Sequence, residues 1–222
     1  MKNFRLLTAD EIECRIAQIK SNGLSLLLYK DARCDMNILD ETVGAYQWKK
    51  AYSRDNRNCT VYLWDANKKE WIGKEDTGTE SNTESEKGLA SDSFKRACVN
   101  WGIGRELYSA PFIWIDKADC NIEAGGTKYR CSDKFEVENI EYDSKERISA
   151  LTIVRVKGRN RTVVFTYGNP MLPGNFQKTL AKVAEEHGYT EEEICKHFHV
   201  NNYSELTVEQ FKKLMDSMGE NG

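Results

Sequence analysis

No apolar run in the chain approaches the length needed to cross a membrane. The opening residues, "MKNFRLLTADEIECRIAQIK", are charged early and hold no apolar stretch of the kind a signal peptide needs. Both absences set the expectation of a cytoplasmic protein with no membrane partner. C-x-x-C is missing too. The seven cysteines (Cys14, Cys34, Cys59, Cys98, Cys120, Cys131, Cys195) are odd in number and scattered, which fits reduced thiols better than a disulfide framework. Cys195, His197 and His199 in "CKHFH" match no standard zinc spacing, and no second ligand pair lies nearby. A helix end with one buried ring is the plainer account, and no metal or cofactor is expected. No internal repeat is visible. "GIGREL" is not a dinucleotide fingerprint, because it follows a helix and lacks the third glycine.

A large excess of one charge is also missing. The chain has 32 basic and 35 acidic residues, a net charge of −3. Five Lys and nine Asp/Glu fall after Gly168, so the first 168 residues hold 27 basic and 26 acidic ones. Any nucleic-acid binding must therefore come from local positive patches. What is present is ordinary for a globular protein: 40% hydrophobic and 30% charged residues over 222 positions, enough for one medium domain and a small appendage.

The periodicities predict an α+β chain of antiparallel strands and hairpins packed on a long helix. "TADEIECRIAQI" has helical spacing, with Thr8 as N-cap and Glu11 three residues on. "GLSLLLYKDAR" reads as a strand, and "DMNILDETVG" as a short helix ending at Gly44. "AYQWKKAYSR", "NCTVYLWD" and "EWIGKED" read as an antiparallel meander. A polar stretch carries a Thr83–Glu86 capping box before the next helix. "APFIWID" is strand-like, "KADCNIEAGGTKYRC" reads as a loop with a glycine turn, and "KFEVENIEYD", "SALTIVRVK" and "RTVVFTYG" form a second β region. "GNPMLPG" has two of the three prolines and reads as a linker over 169–174. It divides a core, 1–168, from a small acidic helical module, 175–222. Three helical segments follow it, the last two opened by Thr190–Glu193 and Thr207–Gln210 boxes.

Several constellations carry chemistry. In "ASDSFKRACVNWGIGRELY", Ala90, Phe94, Ala97, Cys98 and Trp101 form one apolar stripe. Arg96 points away from it and Lys95 lies on its flank. Ion pairing with Asp92 on a solvated face is one account, worth a few tenths of a kcal/mol. Against it, Val99 is apolar on that outer face, and Gly102 and Gly104 let the backbone beside Arg105 come close to a phosphate. In "YQWKKAYSR", Tyr46, Trp48, Lys50, Tyr52 and Arg54 share a strand face. Such alternation suits single-stranded nucleic acid, and it equally suits the core side of a sheet. "RVKGRNR" sets Arg155, Lys157, Arg159 and Arg161 around a glycine turn, either a phosphate patch or a solvated edge. The Asp-Thr-Gly of "EDTGTE" lacks the second triplet and the dry flanks of an aspartic protease. A metal site built from Asp76, Glu80 and Glu84 has no strand-borne lysine beside it.

The stretch "GTESNTESEKGLASDSFKRACVNWGIGRELYSAPFIWI" closely resembles the phage-encoded Sak single-strand annealing proteins, distant relatives of the eukaryotic Rad-fifty-two recombination protein. "LLLYKDARCDMNILDETVGAYQW" supports the likeness, which covers roughly residues 8 to 168. The resemblance implies a β-sheet crossed by a long helix, in subunits that assemble side by side into rings or helical arrays. It implies single-stranded DNA in a basic groove, with complementary strands annealed without ATP and no catalytic step. It carries Lys95 and Arg96 to that groove, together with Arg33 and Lys87. Where many relatives have an aromatic residue after Gly44, this chain has Ala45 and then Tyr46. The expected partners are single-stranded DNA, further copies of the chain and, through the C-terminal helices, a host single-strand-binding protein. The competing functions are a metal-dependent hydrolase using the acidic 75–86 loop and a non-catalytic interaction protein.

Overall fold

A computed structural model of the chain describes residues 4–79, 85–126 and 128–219, with the side chains of residues 85–87 outside that description. The fold is α+β, with five helices and antiparallel sheets among the described residues. The chain divides into two compact units, 1–15 with 27–110 and 16–26 with 111–222. The strands β1 (Glu13–Lys20) and β2 (Gly23–Tyr29) pass from one unit to the other.

β1 corrects the first expectation. The Thr8–Glu11 capping box forms, but it closes only a single 3-10 turn, Ala9–Glu11, and the chain is extended from Ile12. Ile16 and Ile19 are β-branched, and β1 lies between β9 (Lys134–Tyr142) and β2 in a sheet. Ladder hydrogen bonds on both sides outweigh a helical spacing that the local sequence supports only weakly.

In the first unit, α1 (Ala32–Val43) starts on Asp31, whose carboxylate accepts from the N–H groups of Arg33 and Cys34. It ends at Gly44, φ +93°, as predicted. The meander is β3 (Trp48–Ser53), β4 (Asn58–Asp65) and β5 (Glu70–Thr77), antiparallel, with Lys50 opposite Val61 and Val61 opposite Lys74. α2 (Ser85–Trp101) packs across β4 and β5. Its predicted stripe is the buried one: Phe94, Ala97 and Cys98 are fully enclosed. Phe94 stacks on Trp48 at 6.2 Å between ring centroids. Trp101 closes the stripe half-buried, its indole N–H donating to the Val61 carbonyl at 2.9 Å. The Thr83–Glu86 box lies outside the described residues.

In the second unit the sheet order is β11-β10-β9-β1-β2-β6, with β6 (Ile113–Asp116), β10 (Ile148–Lys157) and β11 (Asn160–Tyr167). The predicted loop 117–131 is partly a β-ribbon, β7 (Ile122–Gly125) paired with β8 (Lys128–Cys131) around the glycine turn. The two glycines concealed its short strands, which are only four residues each.

The helices α3 (Gly174–Glu186), α4 (Glu191–Phe198) and α5 (Val208–Gly219) follow the predicted segments, and both capping boxes form. The segment read as a linker is tied down. The Leu172 N–H donates to the Leu206 carbonyl at 2.7 Å, and Leu172 is buried with Phe176, Leu180, Ile194, Leu206 and Phe211. Val154 of β10 belongs to the same cluster, and Val156 and Val163 pack against it. Truncation after Gly168 is expected to uncover these three valines and to cost the remaining core about 2–4 kcal/mol. A lower urea midpoint with increased binding of a hydrophobic dye would show this. An unchanged melt without dye binding would mean that the helices stabilise nothing but themselves.

Candidate nucleic-acid interface

A groove of about 320 Å³ lies wholly within the first unit. Leu27, Leu28 and Tyr29 at the end of β2 form one wall; Asp92, Lys95, Arg96 and Val99 of α2 form another. Gly104, Leu107 and Tyr108 close it. Val99 thus explains itself: the apolar residue on the outer face of α2 lines a concave surface.

Lys95 is half-buried, and among the described residues it makes no ion pair. Its ammonium lies 6.0 Å from the centre of the Tyr29 ring. Burial lowers its pKa, and the nearby cations Arg15 and Lys30 lower it further, against the opposing pull of Asp92 and Asp35. Asp92 is itself engaged, accepting from the Thr79 N–H at 2.9 Å and the Thr79 hydroxyl at 3.3 Å. Arg15 sits over the Tyr29 ring at 4.9 Å and pairs with Glu13 at 2.8 Å. Arg96 spends only Nε on Asp76, at 3.2 Å, so its two terminal nitrogens have no partner among the described residues.

The floor holds a buried ion pair. Lys30 and Asp35 are 4% and 0% exposed and bonded to each other. One oxygen of Asp35 has no hydrogen-bond partner among the described residues. Burial pushes the Asp35 carboxyl up to about 6, against the pull of Lys30. The Lys30 stem runs against Gly104, where an added Cβ would fall 2.1 Å from Cε. Gly104 also sits at φ +71°. Gly104→Ala is therefore expected to cost clearly more than Gly102→Ala, which meets open space at φ +108° and bears only the backbone strain, roughly 1–2 kcal/mol. Urea melts of the two variants give the comparison, and equal midpoints would contradict the close approach of Lys30.

The other sequence candidates divide by what they touch. Lys95 and Arg96 come together in the groove. Arg105 is held elsewhere: Nε and Nη2 donate to the Val99 carbonyl and Nη2 to the Asn100 carbonyl, at 3.0–3.3 Å, closing the open end of α2. Arg33 is exposed at the start of α1, bonded to Asp31 at 2.9 Å, and does not line the groove. The Lys87 side chain lies outside the described residues. Lys50, Trp48 and Tyr52 face α2, and the Lys50 ammonium stands 4.3 Å from the centre of the buried Phe94 ring. That face is the core side of the meander. Tyr46 precedes the strand and Arg54 follows it in a turn at φ +54°.

In the second unit, Arg155 donates to the Asp119 carbonyl at 2.9 Å, and Arg161 binds Glu136 and Glu138. Lys157 and Arg159 are exposed at the β10–β11 turn without partners among the described residues. The 75–86 stretch read as an acidic loop begins on β5: there Asp76 is bound to Arg96 and Asn100, and Glu75 to Asn58 and Thr60. Glu80 and Glu84 lie outside the described residues. Cys195 is buried in the C-terminal cluster, and the His197 ring rests edge-on against Phe198. No helix among the described residues is long and apolar enough to cross a membrane.

Comparison of the chain with family models, with curated proteins and with solved structures found no match in any of the three. The likeness to the Sak proteins therefore rests on the quoted residues alone.

Sequence reasoning missed Tyr29, Tyr108 and the Lys30–Asp35 pair. Tyr108 sits in a 3-10 turn of five residues, too short for a periodicity that separates an inward from an outward ring. The nearest signal was its position, three residues beyond the Gly-Arg that closes the Lys-Arg helix.

Proposed function

We propose that the protein binds single-stranded DNA through the Lys95–Arg96 groove and anneals complementary strands without a nucleotide cofactor. The observation that carries this reading is Lys95, a half-buried ammonium that lines the groove beside Arg96 and makes no ion pair among the described residues, with Asp92 engaged by Thr79. A phosphate oxygen supplies the missing anion, and Arg96 offers two further donors beside it. Neither cation needs the rest of the surface to be basic, so the net charge of −3 is no obstacle.

One groove gives few phosphate contacts. In a ring or helical array the groove recurs in every subunit, and the repeated contacts multiply along one strand. The acidic C-terminal helices repel DNA and are proposed as the side that meets a host single-strand-binding protein.

The test is annealing of two complementary strands by the full chain, with chelator present and no nucleotide. Faster annealing than the bare strands supports the reading. Strand cleavage that needs an added divalent metal would replace it with a hydrolase, and inertness with a plain interaction protein.

A further inference from the structure

We infer that the same groove contains a base-binding subsite in which the exposed ring of Tyr108 stacks against one unpaired nucleobase, while Lys95 and Arg96 hold an adjacent phosphate. This rests on the reading of the groove as a single-strand site and adds to it the part of the nucleotide that decides between single and double strands.

The lining of the groove is chemically divided. Lys95 and Arg96 lie on α2, while Leu27, Val99 and Leu107 are apolar and Tyr108 presents a ring that is 72% exposed. A phosphate uses the first part and gains nothing from the second. A nucleotide uses both, because a base offers a flat apolar face one sugar away from its phosphate. The volume of about 320 Å³ holds one nucleotide rather than a segment of duplex. In a duplex each base face is covered by its neighbours, so a ring can stack only on a strand whose bases are open.

The Tyr108 ring is exposed, but its backbone is fixed. Residues 105–109 form a 3-10 turn, with the Leu107 N–H donating to the Gly104 carbonyl at 3.3 Å and the Ala110 N–H to the Leu107 carbonyl at 3.2 Å. Glu106 is buried in that turn and accepts from the Leu7 N–H at 2.8 Å, while Arg105 is tied to the end of α2. A turn anchored on both sides of Tyr108 leaves two side-chain torsions to order on binding, which keeps the entropic cost low. Tyr29 plays a different part: its ring has Arg15 at 4.9 Å and Lys95 at 6.0 Å, so it positions cations rather than offering an open face.

The test uses the full chain with two fluorescent probes, an oligothymidine and an abasic sugar–phosphate oligomer of the same length. Tyr108→Ala is expected to lower affinity for the oligothymidine roughly tenfold, the effect of one lost stacking contact. Affinity for the abasic oligomer and the salt dependence of both should stay as in the parent protein. Tyr108→Phe should restore the oligothymidine affinity, because stacking needs the ring and not the hydroxyl. At 72% exposure the substitution removes no core contact, and an unchanged melting temperature confirms that the fold is intact. Equal affinity of Tyr108→Ala and parent for the oligothymidine would overturn the subsite while leaving the phosphate groove standing. So would an equal loss on both probes. A parent protein that binds neither probe would overturn the groove itself. Binding only to an acidic aromatic peptide would assign the ring to a protein partner.

Discussion

Lys95→Ala combined with Arg96→Ala is expected to lower affinity for single-stranded DNA about a hundredfold and to leave the fold intact. Each side chain supplies a charge-assisted contact to phosphate, and two such contacts at the low end of their usual range amount to about 3 kcal/mol. Neither residue is needed by the core. Lys95 makes no ion pair among the described residues, and Arg96 gives up one partly exposed pair with Asp76, worth less than about 1 kcal/mol. Calorimetry should place the double variant within a few degrees of the parent protein. An unchanged affinity in a folded double variant would remove the groove assignment.

Phe94→Ala should do the opposite. Phe94 is fully enclosed between α2 and the meander, stacked on Trp48 and capped by the Lys50 ammonium. Removing the ring leaves a cavity under Lys50 that the rigid sheet cannot close, and the expected cost is about 3–5 kcal/mol. Most of the stability of a domain this size is at stake, so the variant should be poorly soluble or unfold at much lower urea. DNA affinity should fall only with the folded fraction. A stable Phe94→Ala that selectively loses DNA would make the inner face of β3 part of the interface. The two substitutions lie on adjacent positions of one helix and are expected to separate binding from folding cleanly.

That separation was legible from the helix alone. Ala90, Phe94, Ala97, Cys98 and Trp101 repeat at the helical period, and Asp92, Lys95, Arg96 and Val99, off that stripe, line the groove. Glycine and capping signals likewise gave the end of α1 and the starts of α4 and α5, whereas Ala32 and Arg33, read as strand, open α1 behind the Asp31 cap. Local pattern and tertiary pairing disagree at β1. Residues 13–20 have a helical spacing, but β2 and β9 offer two ladders. The aromatic and cationic face of β3 reads alike whether it meets bases or a helix, and α2 covers it. Arg105 follows two glycines, as a phosphate-binding residue would, and its Nε and Nη2 donate to the open carbonyls at the end of α2. Groove residues drawn from turns and strand ends, Tyr29, Lys30 and Tyr108, had no period to reveal them.

The most direct test of the account is the salt dependence of single-strand binding, followed by fluorescence anisotropy of a labelled oligothymidine with the full chain and with Lys95→Ala/Arg96→Ala. For the parent, log affinity should fall linearly with log salt, by about 0.7 for each phosphate neutralised. The double variant should give a slope shallower by about 1.4, the share of two phosphates. Identical slopes for the two proteins would contradict the claim that this groove holds the strand.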